Sequence, residues 1–211
     1  MVFKKSTTEN KATKNLAEKL GLDYRIAAVL CQRGINTVED AESFLYPDES
    51  MLLPPDISNI DKAVLRIQQA IDAKEKILLF GDYDCDGICS VAMLKLFLEE
   101  LGADVAYFIP SRELGYGLSV EALEYVVEMH LPDLIITVDC GITAFEEVLY
   151  CYEVLGVDIV ITDHHEPSQE IPDCVVVNPK LDTDSCLKNL CGAGVVFKLI
   201  EAFKGRQKAL E

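Results

Sequence analysis

From Lys76 onward, short unbroken apolar runs alternate with amphipathic stretches, and this alternation limits the possible folds more than any other feature of the sequence. The amphipathic stretches lie at about 88–101, 119–130, 143–155 and 195–203, between the runs KILLFGD, DVAYFIP, DLIITVD, VDIVITD and CVVVNP. A strand that is apolar at every position must be buried on both faces, as in a parallel sheet covered by helices on both sides. We therefore predict an α/β fold with a doubly wound, mainly parallel sheet over residues 75–211.

The first third of the chain follows a helical pattern. From about Leu16 to Ala70, apolar residues recur at helical spacing, and Asn36 or Thr37 is the candidate N-cap of one helix. The stretch YPDESMLLPPDIS contains three prolines and indicates an ordered connector. We predict a small helical N-terminal segment and connector over residues 1–74, ending in a helix at about 60–73.

Composition narrows the class of protein. The chain has 211 residues, half of them apolar, so it can bury a large core. The eight scattered cysteines and the polar N-terminus favour a cytoplasmic protein with reduced thiols. No apolar run approaches the roughly 20 residues of a membrane span, so we expect no membrane partner. A net charge of −17 argues against a general nucleic-acid-binding surface but allows an acidic site that holds cations.

Acidic residues follow three of the predicted strands. The groups are Asp82, Asp84 and Asp86 after the first strand, Asp139 after the third, and Asp163, His164 and His165 after the fourth. In an open parallel sheet the carboxyl ends of the strands meet at one edge, where ligands bind. We therefore expect these side chains to lie close together.

Carboxylates gathered in one crevice would repel each other unless cations neutralise them. Oxygen ligands with an imidazole and no required thiolate favour Mn²⁺ or Mg²⁺ over a structural zinc. There are more potential ligands here than one ion usually takes from a protein. The pattern therefore favours two ions sharing a carboxylate, an arrangement suited to phosphoryl transfer.

Each group also has a simpler interpretation when it is taken alone. The string DYDCDG is compatible with a calcium-binding loop or a turn, Asp139 with the cap of the next helix, and the two histidines with a surface turn. Only the coincidence of all three groups at strand ends favours a metal site.

These motifs also resemble those of a known family. GDYDCDG, TVDCGIT and TDHHEP are similar to the motifs of the DHH phosphoesterase superfamily, which is named for the triplet at residues 163–165. CQRGINTVEDAESFLYP, IPSRELGYGLS and LCGAGVVFKLIEAF resemble the RecJ branch, and this similarity runs from about Leu16 to the C-terminus. The resemblance implies a 5′→3′ exonuclease specific for single-stranded DNA, active in DNA repair and recombination, with two Mn²⁺ or Mg²⁺ ions.

The resemblance also implies roles for the residues at the strand ends. It makes Asp84, Asp86 and His164 metal ligands and Asp139 the bridging, catalytic carboxylate. His165 would contact the scissile phosphate, and Asp163 would bind metal or orient its neighbours. Many members have a histidine where this chain has Phe80, which implies either that one metal site is incompletely filled or that the ligation shifts to Asp82.

Three further residues are candidates for binding phosphate or nucleic acid. Arg112 follows the proline of IPSRELGYGLS, where its guanidinium can hold a phosphate in a bidentate way, although an exposed surface arginine is an alternative. Gly192 and Gly194 precede a predicted helix, and their N–H groups can receive phosphate. A tight turn for close packing explains these two glycines equally well.

The cysteines carry weaker signals. We interpret Cys85 and Cys140, inside the metal motifs, as small space-filling residues. Cys186 and Cys191 are the most zinc-like pair, but they lack partners at the usual spacing.

RecJ-like proteins have a further metal-binding aspartate and a second domain, which find no counterpart in these motifs. We therefore expect an N-terminal fragment that binds metal weakly and is inactive alone, with a single-strand-binding protein or helicase as partner of the full-length enzyme. Two alternatives remain open. One is a phosphodiesterase for short oligonucleotides or cyclic dinucleotides, and the other is a non-catalytic nucleic-acid-binding scaffold.

Overall fold

The computed structural model describes residues 11–111 and 117–210, and the chain divides into two compact units, Met1–Leu52 and Leu53–Glu211. The described helices are α1 (Lys11–Leu20), α2 (Tyr24–Gln32), α3 (Val38–Leu45), α4 (Ile60–Ala73), α5 (Cys85–Glu100), α6 (Val120–His130), α7 (Phe145–Tyr150), α8 (Gly192–Lys204) and α9 (Arg206–Ala209). The strands are β1 (Lys76–Gly81), β2 (Asp104–Phe108), β3 (Leu134–Val138), β4 (Asp158–Thr162) and β5 (Val175–Val177). Within these ranges, no helix combines the length and the apolar character needed to cross a bilayer.

The first unit is a small helical cluster. Helices α1, α2 and α3 bury one or two apolar side chains each, namely Leu16, Ala27, Leu30 and Ala41. Thr37 is the N-cap of α3, and its hydroxyl accepts a hydrogen bond of 3.1 Å from the Asp40 N–H. Of the two capping candidates, the structure therefore selects Thr37.

The second unit contains a five-stranded sheet in the order β2-β1-β3-β4-β5, and every pair of neighbouring strands is parallel. Alternate residues of each strand face opposite layers of helices. Ile77 and Ile136 pack with α4, α5 and α8, whereas Leu78 and Ile135 pack with α6 and α7. The predicted doubly wound, mainly parallel α/β fold with helices before it is confirmed.

Helix α4 belongs to the same compact unit as the sheet. Its buried Ile67 lies in the same apolar cluster as Ile77 of β1. The division between the two compact units falls after Leu52.

Strands β1 and β3 form the switch point of the sheet. The chain leaves β1 toward α5 on one face, and it leaves β3 toward α7 on the other face. Connections that diverge in this way open a crevice beyond the carboxyl ends of the two strands, which is where open α/β sheets bind ligands. Asp82 follows β1 and Asp139 follows β3, so both lie at this crevice. Asp163, after the neighbouring strand β4, lies next to them.

Candidate metal centre

The first two carboxylates are fixed by the turn from β1 into α5. Asp84 is the N-cap of α5, and its side chain accepts a hydrogen bond of 3.0 Å from the Gly87 N–H. A Cβ on Gly87 would collide with the backbone of Asp82, so only glycine lets the first turn of the helix lie this close. The buried carboxyl of Asp82 and the exposed carboxyl of Asp84 consequently lie side by side.

Asp139 ends β3 in a left-handed backbone conformation, with φ of 63°. Aspartate tolerates this region better than most residues. The turn is fixed by the Asp139 N–H, which donates to the Thr162 carbonyl at 3.0 Å, and by the Thr137 hydroxyl, which donates to the Cys140 carbonyl at 2.8 Å. Helix α7 starts later and its N-cap is Ala144, so the alternative role of Asp139 as a helix cap is wrong.

Helix α8 closes the crevice from the other side. The N–H groups of Gly192 and Ala193 donate to the Asp86 carboxylate at 2.6 and 2.8 Å. Burial raises the pKa of the Asp86 carboxyl, but these hydrogen bonds outweigh burial and the net pKa is lowered. Helices α5 and α8 therefore both begin at the acidic cluster, where their positive N-terminal ends oppose its charge.

The two candidate phosphate-binding glycines lie in this same turn. The N–H of Gly192 already has Asp86 as its acceptor, and a Cβ on Gly192 would stand 2.5 Å from Asp139 Oδ1. A Cβ on Gly194 would stand 3.0 Å from the side chain of Leu190. This geometry favours the close-packing interpretation of both glycines over phosphate binding.

Asp163 is buried at the end of β4 and holds the two histidines and the β3 turn together. Its Oδ2 accepts a hydrogen bond of 3.0 Å from the Ile142 N–H. Its Oδ1 accepts from the His164 N–H at 2.6 Å and the His165 N–H at 3.1 Å, and it lies 2.8 Å from His165 Nδ1. Of the two roles expected for Asp163, the geometry therefore favours orienting its neighbours over binding metal.

His164 faces the carboxylates directly. Its Nε2 lies 3.1 Å from Asp139 Oδ1 and 3.6 Å from Asp86 Oδ2. The described residues make no hydrogen bond to Asp139 Oδ1. Adjacent ligands of a six-coordinate ion with bonds near 2.1 Å are about 3 Å apart, so the Nε2 to Oδ1 spacing suits two ligands of one ion.

The candidate ligands form two overlapping groups whose ligand atoms lie within 4.8 Å of one another. One group contains Asp82, Asp84 and Asp139, and the other contains Asp139, His164 and His165. Asp139 belongs to both groups, which is the placement that a bridging carboxylate requires. Asp86 and Asp163 stand outside these two groups.

An independent observation indicates that these candidate ligands suit a divalent cation. Among the described residues, two buried side-chain atoms have no hydrogen-bond partner, and they are Oδ1 of Asp82 and Oδ1 of Asp139. Leaving a buried acceptor unsatisfied costs about 1–3 kcal/mol, and more for a charged group. Burial, together with the charges of Asp86 and Asp84, raises the pKa of Asp139 to about 7, and burial also raises the pKa of Asp82. A cation would supply both oxygens with a partner.

A cavity of about 240 Å³ adjoins this cluster on the side of His165. Its lining includes His165, Asp163 and the turn Gly141–Ala144. A larger cavity of about 610 Å³ lies away from the cluster, between residues 56–62 and 182–185. Of these two cavities, the smaller one is in contact with the cluster of candidate metal ligands. Arg112 lies outside the described residues.

The two cysteines of the metal motifs differ from each other. Cys140 is 1% exposed and fills space, in agreement with the sequence. Cys85 is exposed, so its interpretation as a space-filling residue is wrong. Cys85 is the first residue of helix α5, directly after the N-cap Asp84.

Comparison with known proteins agrees with this arrangement. The description "DHH family, N-terminal domain" matches residues 76–211, which is more than half of the chain. The chain belongs to the DHH family. The matched DHH region contains all of the acidic and histidine residues described above.

Named relatives of this DHH protein are single-stranded-DNA-specific exonucleases. RecJ of Bacillus subtilis is 40% identical over 198 residues, which are 91% of this chain and 25% of that protein. RecJ of Thermus thermophilus is 39% identical over 175 residues, 82% of this chain and 25% of that protein. The chain thus spans about a quarter of the length of these relatives.

Solved structures give the same picture of the DHH fold. A RecJ exonuclease bound to manganese superimposes with a TM-score of 0.67 at 38% identity, over 74% of this chain and 40% of that one. RecJ from Thermus thermophilus in complex with Mn²⁺ gives a TM-score of 0.70 at 31% identity, over 93% of this chain and 27% of that one.

Proposed function

We propose that this chain carries the catalytic centre of a metal-dependent exonuclease, which hydrolyses phosphodiester bonds at the 5′ end of single-stranded DNA in DNA repair and recombination. The observation that carries the proposal is Asp139, a buried carboxylate shared by two ligand groups and left without a hydrogen-bond donor on Oδ1. RecJ relatives with this specificity, and RecJ structures with bound Mn²⁺, support the choice of reaction and metal.

The proposed metal ligands divide into two sets that share Asp139. Asp82 and Asp84 would hold one Mn²⁺ or Mg²⁺ ion with it, and His164 would hold the second, with Asp86 beside it. Carboxylate oxygens and imidazole suit these hard and borderline cations. When bound, two such metal ions would lower the pKa of a bound water and neutralise negative charge on the phosphoryl oxygens.

His165 is the proposed catalytic contact to the scissile phosphate. Asp163 lies 2.8 Å from Nδ1 of His165 and so fixes the orientation of the ring. Nε2, the ring nitrogen that Asp163 does not contact, is the proposed contact to a phosphate oxygen, and the adjoining cavity of about 240 Å³ is the proposed phosphate seat. A hydrogen-bond donor that is already in position before the reaction stabilises the negative charge that develops on the phosphoryl oxygens. Arg112 remains a proposed second phosphate contact.

The charge of the chain bears on its partners. With a net charge of −17, most of its surface repels a polyanion, so the cation site is the main attraction for a DNA strand. We therefore also propose that a single-strand-binding protein or a helicase delivers the strand, in the cytoplasm.

The test uses the complete protein with Mn²⁺ and single-stranded DNA labelled at either the 5′ or the 3′ end. Mononucleotides should be released from the 5′ end, whereas duplex DNA, dinucleotides and cyclic dinucleotides should react far more slowly. Asp139→Ala and His165→Ala should each lower kcat about a hundredfold or more. Asp104→Ala, an exposed acid at the start of β2, is the matched control and should keep full activity.

Three outcomes would contradict the proposal. Wild-type turnover in Asp139→Ala would remove the bridging carboxylate from the mechanism. Faster hydrolysis of dinucleotides than of long single strands would identify a phosphodiesterase for short substrates instead. Tight DNA binding without any turnover in Mn²⁺ would identify a scaffold.

A further inference from the structure

Asn178 is a fully buried polar side chain that the proposed reaction does not use. It follows β5 directly, and its exposed fraction is 0%. A buried amide costs free energy unless its donors and acceptors are paired. The partners of Asn178 therefore indicate what the residue does.

The side-chain amide of Asn178 joins two segments of backbone. Its Nδ2 donates a hydrogen bond of 3.0 Å to the His165 carbonyl, and its Oδ1 accepts one of 2.9 Å from the Lys180 N–H. A backbone carbonyl only accepts and a backbone N–H only donates, so these two partners fix which end of the amide is nitrogen. The position needs a planar group with one donor and one acceptor, which suits asparagine and excludes an ionised aspartate.

Asn178 is itself held in a tight turn beside the end of β4. The Leu181 N–H donates to the Asn178 carbonyl at 3.1 Å, which closes a turn with Pro179 at its second position, where proline is favoured. One residue before Asn178, the Val177 carbonyl accepts a hydrogen bond of 3.0 Å from the Asp163 N–H. The amide thus has a rigid support next to the two histidines.

The segment after His165 has little support of its own. Of residues 166–171, all but Pro167 are exposed. The ammonium group of Lys180 lies 2.9 Å from the Glu166 carboxylate, but the Glu166 side chain is 82% exposed, and such surface pairs contribute little. The buried amide of Asn178 therefore ties the start of an exposed loop to the end of the sheet.

His165 is consequently held from two directions. Asp163 accepts from its N–H at 3.1 Å and lies 2.8 Å from its Nδ1, while Asn178 holds its carbonyl. We propose that Asn178 is a positioning residue that keeps the His165 ring at the phosphate cavity, an inference that rests on the function proposed above for His165. Without this hydrogen bond the peptide plane after His165 can rotate, and the ring leaves the geometry set by Asp163. A misplacement of about 1 Å can lower a rate about a hundredfold.

Two substitutions and a matched control test the proposal. Asn178→Asp keeps the shape and the acceptor for Lys180 but turns an oxygen toward the His165 carbonyl. Asn178→Ala removes the amide without burying a charge, so it serves where the aspartate variant does not fold. Asn59→Asp is the control, because the Asn59 amide also donates to a backbone carbonyl beside β5, that of Val176, at 3.1 Å. Urea unfolding of each variant shows that it is folded.

The first measurement is independent of activity. The chain contains three histidines, so nitrogen NMR of the metal-free protein with ¹⁵N-labelled histidine gives few ring signals, and His165→Ala identifies those of His165. The Nδ1 signal of His165 should shift in both Asn178 variants, because its contact with Asp163 loosens. It should stay in place in Asn59→Asp, and the signals of His130 should stay in place throughout. Unchanged His165 signals in the Asn178 variants would overturn the proposal.

The second measurement is kinetic and uses the complete protein with Mn²⁺ and single-stranded DNA. Both Asn178 variants should lower kcat about tenfold or more and leave the Mn²⁺ affinity unchanged, whereas Asn59→Asp should keep full activity. In the His165→Ala background, Asn178→Ala should cause no further loss, because a residue that acts through another has no effect once that residue is gone. An equal loss of kcat in both backgrounds would show that Asn178 does not act through His165.

The outcomes separate this inference from the proposed function. If the complete protein releases no nucleotides while the His165 signals still shift in the Asn178 variants, the nuclease function is contradicted and the positioning of the ring stands. If the protein is a nuclease that His165→Ala inactivates, and Asn178→Ala keeps full kcat, the inference is wrong and the function stands.

Discussion

Asp139→Asn should stabilise the metal-free protein while removing its response to Mn²⁺. The side chain is 1% exposed, and its pKa is raised from 3.8 to about 7, chiefly by burial and then by the charges of Asp86 and Asp84. A shift of this size corresponds to a penalty of at most about 4 kcal/mol for the ionised carboxylate in the folded state. Asparagine has the same shape, carries no charge and tolerates the left-handed backbone at this position.

The sign of the pH dependence follows from the raised pKa. Below about pH 4 the carboxyl is protonated in both the folded and the unfolded chain, so it contributes no penalty. The penalty grows as the pH rises toward 7 and is complete above that value. The gain from Asp139→Asn should therefore be near zero at about pH 4 and largest at about pH 8.

Urea unfolding with EDTA at about pH 5 and pH 8 measures this gain, and repeating it in Mn²⁺ measures the response to metal. At a hundred times its Kd, a ligand stabilises the folded state by about 2.7 kcal/mol, and Asp139→Asn should lose most of that. Asp104→Asn, at an exposed position, should change neither quantity. A variant no more stable than wild type at pH 8 in EDTA would refute the reasoning from burial, and an undiminished response to Mn²⁺ would refute the metal site.

Three further predictions concern the surroundings of this carboxylate. Asp163→Ala leaves one buried and two partly buried N–H groups without their acceptor and should cost at least about 3 kcal/mol in urea unfolding, and a loss below about 1 kcal/mol would contradict this. Gly192→Ala places a Cβ 2.5 Å from Asp139 and should weaken Mn²⁺ binding at least about tenfold in calorimetry. Gly194→Ala, whose nearest contact is 3.0 Å from a flexible Leu190, should weaken it less, and equal effects would argue against the close approach. Mn²⁺ affinity should fall about tenfold per pH unit below about pH 7, because a proton must leave Asp139, and an affinity that is constant from about pH 5.5 to 8 would contradict this.

The fold was predictable because the central strands are apolar at every position. All five residues of β3 are buried, and so are the last five of β1, which is what the sequence pattern indicated. Strand β2 departs from the pattern, since it is at the edge of the sheet and exposes 54% of Tyr107. The order of the strands was not readable from the sequence, because an apolar run does not specify its neighbours.

The location of the acidic cluster was predictable, because the carboxyl ends of parallel strands lie at the same edge of a sheet. The orientation of its side chains was not. The capping role of Asp84 was readable from the sequence, because aspartate directly before a helix is a typical N-cap. The acceptor role of Asp163 depends on the Ile142 N–H, 21 residues earlier in the chain. No local pattern reveals such a contact.

Gly192 illustrates the limit of sequence reasoning most clearly. A glycine is needed at position 192 because a Cβ there would collide with the carboxylate of Asp139, 53 residues earlier in the chain. The sequence suggested either a phosphate-binding turn or close packing, and only tertiary structure distinguishes the two. The exposure of Cys85 was hidden in the same way, since it depends on which face of α5 meets the sheet.

Diffraction from crystals of the chain soaked in Mn²⁺, collected at a wavelength where manganese scatters anomalously, tests the central claim most directly. We expect two anomalous peaks about 3.5–4 Å apart, with an oxygen of Asp139 about 2.0–2.3 Å from each. Manganese bound only at sites that Asp139 does not touch would contradict the account.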